Sequence, residues 1–197
     1  MNTYNTICDY LQQSMTTSEI VHGWRHYSIL SGSKVIPFYQ NCRTLLQHGT
    51  TGLCAWPAAW RLAEFAHTNN SIFANKSLLE LGSGLGAGGV FVSYLSKPRK
   101  IILTDVHSEV LRSLTLNSKV LQNMKPEMTV GVRELDWCSF DPTELMKSIL
   151  ETDIVIGADL LYDPAVFSDL VKENVCYYHI CAYRTIAHTI CHIANFE

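Results

Sequence analysis

Glycines at alternate positions, Gly82, Gly84 and Gly86, break up the stretch SLLELGSGLGAGG at residues 77–89. Glycine lets backbone approach a ligand closely and take turns closed to other residues. A helix that starts straight after such a loop offers its N-terminal amides to a polar group. Gly84, Gly86 and Gly89 also fit the G-x-G-x-x-G spacing of a dinucleotide-binding loop. Asp105 follows about 20 residues on, where an acid at the tip of the next strand accepts both hydroxyls of a ribose. That arrangement serves NAD and S-adenosylmethionine equally. A tight strand-helix turn with no ligand, or an acid capping a helix, would need the same residues.

Two further features separate the cofactors. Glu80 lies two residues before the first of these glycines. An acid there repels a pyrophosphate and suits a cofactor carrying a cationic sulfonium and an amino group. Further on, LDW supplies Asp136 and Trp137. The acid can accept from an adenine amino group and the indole can stack on its ring. A tryptophan packed in the core is the plain alternative. Together these residues favour an adenosyl cofactor over a nicotinamide one.

Elements of two periods must hold these groups. KSLLELG, RKIILTD, TVGVRELDW and TDIVIGADLLYD read as short buried strands. GAGGVFVSYLSK, HSEVLRSLTLNSKVLQN, DPTELMKSIL and PAVFSDLVKE read as the helices between and after them, with Pro142 at a first helical position. Strands alternating with helices imply a doubly wound, Rossmann-like, mostly parallel sheet of the α/β class. Ligands bind such sheets outside the carboxyl ends of the strands, where Gly82–Gly86, Asp105, Asp136–Trp137 and Ala158–Asp159 fall. Ahead of the sheet, WPAAWRLAEFAHTN predicts a helix with Pro57 in its first turn, and WRHYSILSGSKVIPFYQNC predicts a hairpin. Residues 1–48 form an expected N-terminal extension, with a further helix around ICDYLQQSM, and residues 49–197 the main domain.

Composition narrows the class. Of 197 residues, 47% are hydrophobic and 17% charged, enough for a real core. The net charge of −3 and the lack of a Lys/Arg cluster give no sign of nucleic-acid binding. Seven cysteines without a CxxC pair suggest neither a disulfide framework nor a zinc site. His179, His188 and His192 have no acid or thiol at ligand spacing, so no metal is expected. The polar N-terminus lacks a signal-peptide pattern, and no run approaches the roughly 20 apolar residues of a membrane span. A soluble, cytoplasmic protein is the expectation.

At this level the chain resembles seven-strand S-adenosylmethionine-dependent methyltransferases. ELGSGLG, LTDVH, LDW and ADLLYD stand in that family's order and spacing. GTTGLCAWPAAWRLAEF resembles more narrowly the protein-lysine methyltransferases with a D-x-x-Y motif, and within them the group that methylates elongation factor 2. That group shares the pattern D.H..VL..L..N across its second strand and following helix. The resemblance covers residues 49 to about 172. It implies that Trp56 packs on the cofactor and that Gly82, Ser83 and Gly84 line its methionine end. Asp105 would hold the ribose, Trp137 flank the adenine, and Ala158 touch the cofactor from the fourth strand. Asp159 and Tyr162 match D-x-x-Y and would border a lysine channel, Asp159 orienting the amine and Tyr162 walling it. For Asp159 the plain alternative is a helix N-cap, and for Tyr162 a packing role.

The resemblance stops at the tail. NVCYYHICAYRTIAHTICHIANFE, residues 174–197, shows no strand-turn-strand pattern where the family continues its sheet. The expectation is an altered or truncated C-terminus, an uncovered sheet edge and low stability. A non-catalytic cofactor-binding or interaction homologue, and a methyltransferase for another substrate, stay open beside the leading reading.

Overall fold

A computed structural model describes residues 22–29, 34–42, 50–136 and 151–160. The expected helices around residues 7–15, 141–150 and 164–173, and the tail, lie outside the described residues, as do Trp137 and Tyr162.

The expected hairpin is present. Strands β1 (His22–Ile29) and β2 (Lys34–Asn41) pair antiparallel from His22↔Asn41 to Ile29↔Lys34. Helix α1 (Pro57–Thr68) starts on its proline, which lacks the N–H that a first turn leaves unused. A single turn not foreseen from periodicity, α2 (Asn70–Phe73), follows it. Then strand and helix alternate: β3 (Ser77–Glu80), α3 (Ala87–Ser96), β4 (Lys100–Asp105), α4 (Ser108–Met124), β5 (Thr129–Glu134) and β6 (Ile154–Ile156).

The four later strands form one parallel sheet in the order β5-β4-β3-β6. The chain steps outward from β3 to β5 and returns to the other side for β6. The strand order therefore reverses at β3, the place where doubly wound sheets open a crevice for ligands. All four residues of β3 are buried, as expected of a central strand covered on both faces.

On one face Leu78, Ile101, Leu103, Ile154 and Ile156 join a large core with α1, α3 and α4. On the other, Leu79, Leu81 and Leu160 form a smaller apolar cluster. The hairpin belongs to the large core: Tyr27, Ile29, Ile36 and Phe38 enter it, and Phe38 and Trp60 lie 5.4 and 4.3 Å, centroid to centroid, from Phe91 of α3. Such aromatic pairs add to area burial and fix the hairpin's angle on the sheet domain. Among the described residues no helix is long and apolar enough to cross a membrane.

Candidate active site

The site is built on the turn that ends β3. Leu81 keeps one more ladder bond, its N–H donating to Ile156 O at 3.0 Å. The chain then turns through Gly82, Gly84 and Gly86, with φ of +53°, +53° and +82°. Only glycine takes these angles without strain. At Gly84 space is short as well, since a Cβ would lie 3.1 Å from Gly52 O. The segment ahead of α1 thus packs directly on the glycine loop. Trp56 anchors that segment by donating its indole N–H to Thr51 O at 2.9 Å, which fixes the ring.

Asp105 cross-braces the loop to the next strand. One carboxylate oxygen accepts from Gly84 N at 3.0 Å. The other accepts from Val106 N at 2.8 Å and His107 N at 3.2 Å, tying down the turn into α4. The loop-bracing and ligand readings of this acid are compatible, because each carboxylate oxygen has more than one lone pair. Ser83 and Thr104 add a second brace: Ser83 N donates to Thr104 O at 2.7 Å, and Thr104 N to Ser83 Oγ at 3.0 Å.

Glu80 is 2% exposed. Its Oε1 accepts from Gly89 N at 2.8 Å, so the strand end caps the first turn of α3. A Cβ at Gly88 would lie 2.5 Å from Glu80 Oε1, and one at Gly89 2.7 Å from Oε2, so both glycines make room for the carboxyl. Among the described residues Oε2 has no hydrogen-bond partner. Burial pushes the carboxyl up to about 8, against the opposing hydrogen bonds from Ser83 and Gly89 and with the Asp105 charge adding to the rise. A buried acid with one oxygen unanswered, beside a cavity, is suited to a cationic group.

These groups face one cavity of about 400 Å³. It brings together Trp56, Glu80, Gly82, Ser83, Gly84, Asp105, Asp136, Ala158 and Asp159, nine of the residues singled out from the sequence. Strand β6 stops at Ile156, two residues short of Ala158, so Ala158 and Asp159 reach the cavity from the turn beyond it. Asp159 has φ +60°, in the left-handed region. An N-cap residue takes extended backbone, so this conformation does not fit the helix-cap alternative. Non-glycine residues held there are strained and gather at functional sites.

The cavity also has walls that sequence reasoning gave no role. Thr50, Thr51 and Cys54 line it from the segment ahead of α1, and Val106 and His107 from the tip of β4. Burial raises the Cys54 thiol to about 11, which makes it an inert wall. The strings GTTGL and DVH carried these residues, but only tertiary contact gives them a surface to line.

A parallel α/β sheet with a glycine loop at its switch point, an acid at the neighbouring strand tip and a cavity over both defines a Rossmann-like ligand-binding protein. The lysine methyltransferase family model matches residues 44–181, and the chain belongs to that family. It is 36% identical over 171 residues to protein-lysine N-methyltransferase EEF2KMT of Homo sapiens, covering 82% of this chain and 50% of that protein. To the Mus musculus protein of that name it is 34% identical over 166 residues, 80% of this chain and 48% of the relative. Protein-lysine N-methyltransferase EFM3 of Chaetomium thermophilum is 32% identical over 126 residues, 62% of this chain and 37% of the relative. The chain spans about half the length of the EEF2KMT relatives it matches.

Proposed function

We propose that this chain binds S-adenosylmethionine in the glycine-loop cavity and belongs to a protein-lysine N-methyltransferase acting on translation elongation factor 2. The observation that carries the cofactor reading is the buried Glu80 carboxyl, with one oxygen unanswered, beside a loop braced by Asp105. A cationic ligand in the cavity would favour the ionised form of the Glu80 carboxyl, and Asp105 offers acceptors to a ribose. The substrate reading is supported by the relatives' names.

When bound, the cofactor would supply an activated methyl group. Asp105 would hold the ribose while its backbone bonds keep the loop closed beneath it. Trp56, its ring fixed by Thr51, would pack on the cofactor, and Gly82, Ser83 and Gly84 would follow its methionine end. Asp136 would accept from the adenine amino group, Trp137 would flank the ring, and Ala158 would complete the wall. Asp159 would orient the incoming lysine and Tyr162 would line its channel. Burial beside a cation favours the neutral amine that displacement needs.

The test is a calorimetric titration with S-adenosylmethionine, NAD serving as control, followed by a radiolabelled-methyl assay on elongation factor 2. Micromolar binding of S-adenosylmethionine alone is expected, with label entering a lysine. Binding of NAD instead, or of neither cofactor to folded protein, would overturn the cofactor reading. Binding without label would select the non-catalytic homologue.

A further inference from the structure

The asparagine that closes the D.H..VL..L..N pattern has no part in the cavity, yet it is only 1% exposed and its side-chain amide is fully used. Asn117 Oδ1 accepts from Tyr39 N at 2.7 Å. Its Nδ2 donates to Tyr39 O at 3.2 Å and to Leu85 O at 3.0 Å. Two donors and one acceptor therefore meet three backbone groups from two separate places in the chain. No other side chain of this length offers that set: Asp lacks the donors and Leu lacks both.

The partners matter more than the number of bonds. Tyr39 sits in β2, so Asn117 makes a backbone-like pair with the hairpin through both of that residue's peptide groups. Leu85 lies inside the glycine loop, between two left-handed residues, Gly84 and Gly86. It precedes Gly86, the N-cap of α3, so its carbonyl lies outside the helical ladder. Asn117 answers that carbonyl, while Gly89 N donates to Glu80 Oε1. Leu114, three residues earlier on α4 and on the same face, presses on the loop too. A Cβ at Gly86 would meet Leu114 Cδ1 at 2.7 Å. The loop is thus held on its far side by α4, while Glu80 and Asp105 hold the side that faces the cavity.

We propose that Asn117 is a positioning residue that sets the glycine loop for its cofactor and makes the β1–β2 hairpin part of the loop's support. The link to affinity rests on the cofactor reading above; the link between loop and hairpin does not. The hairpin is accordingly a brace of the cavity, and a disturbance of β2 at Tyr39 reaches Leu85 through one side chain.

The experiment compares Asn117→Ala with Leu121→Ala, a core truncation one turn further along α4. Both lower the melting temperature; only the first removes the clamp. Amide hydrogen exchange of the ligand-free proteins is read at Tyr39–Asn41 and Leu85–Gly89. Asn117→Ala should speed both stretches together, by about tenfold more than Leu121→Ala does, and weaken S-adenosylmethionine binding by about tenfold. Faster exchange in the hairpin alone, or equal effects of the two variants, would overturn the proposal. Should Asn117→Ala fail to fold, the wild-type protein decides: the Tyr39 and Gly86 amides should open with one common denaturant dependence, and separate dependences overturn it. Wild-type protein that binds no cofactor would refute the proposed function, while the exchange comparison still decides the role of Asn117.

Discussion

Replacing Glu80 by glutamine should flatten the dependence of folding stability on pH. The carboxyl is raised from its ordinary 4.5 to about 8 in the folded chain, chiefly by burial. Such a group holds its proton more tightly folded than unfolded. Its contribution to stability is intact while both states are protonated, below about pH 4.5. As pH rises from there toward 8, the unfolded chain ionises first, and stability falls across that window. Taking the two values at face, the loss between pH 5 and pH 8 amounts to roughly 3 kcal/mol. Glutamine keeps an acceptor for Gly89 N and adds an amide where Oε2 stood without a partner. That exchange costs or gains a fixed amount, which shifts the whole curve and leaves its slope alone. The assay is urea unfolding of ligand-free wild-type and Glu80→Gln protein at half-unit steps from pH 5 to 8. The variant's stability relative to wild type should rise steadily between pH 5 and pH 8, whatever the fixed offset. Parallel curves would refute the reasoning, because they would mean that Glu80 is already ionised in the fold at neutral pH.

Other consequences follow from the same geometry. Asp105→Ala removes three charge-assisted acceptor bonds to backbone and the ribose acceptor. S-adenosylmethionine affinity should drop at least tenfold by calorimetry and the melting temperature by about 4–8 °C, if the lost braces are worth about 2 kcal/mol. Gly84→Ala forces a side chain into the left-handed region and to within 3.1 Å of Gly52 O. It should cost about 1–3 kcal/mol in urea unfolding, and an unchanged midpoint would mean that the loop relaxes freely. Asp159→Gly should raise stability by up to about 1 kcal/mol by relieving φ +60°, while methyl transfer falls. A variant that is both stabilised and fully active would remove Asp159 from the site.

The sequence was enough for the frame. Alternating apolar runs and amphipathic stretches predict the strands and helices of the parallel sheet, because burial on a two-sided strand and on one helix face demands those periods. GSGLG marks its turn because φ values of +53° and +82° exclude other residues. Spacing alone puts Asp105 at the end of β4; β5 stops at Glu134, so Asp136 lies two residues past its strand and not at its tip. Local pattern could not show how a carboxyl is used. Glu80 reads as an acid aimed at a ligand; the fold turns one of its oxygens onto Gly89 and leaves the other without a partner. Nor could it show contacts between residues far apart in the chain. Thr50 and Thr51 become cavity walls only because Gly52 rests on Gly84, and Asn117 meets Tyr39 and Leu85 across 78 and 32 positions. Periodicity records which face of an element is apolar, and glycine records which turn is tight. Which polar atom answers which backbone group depends on distances between elements, and those are set only when the core of hairpin, helices and sheet has closed.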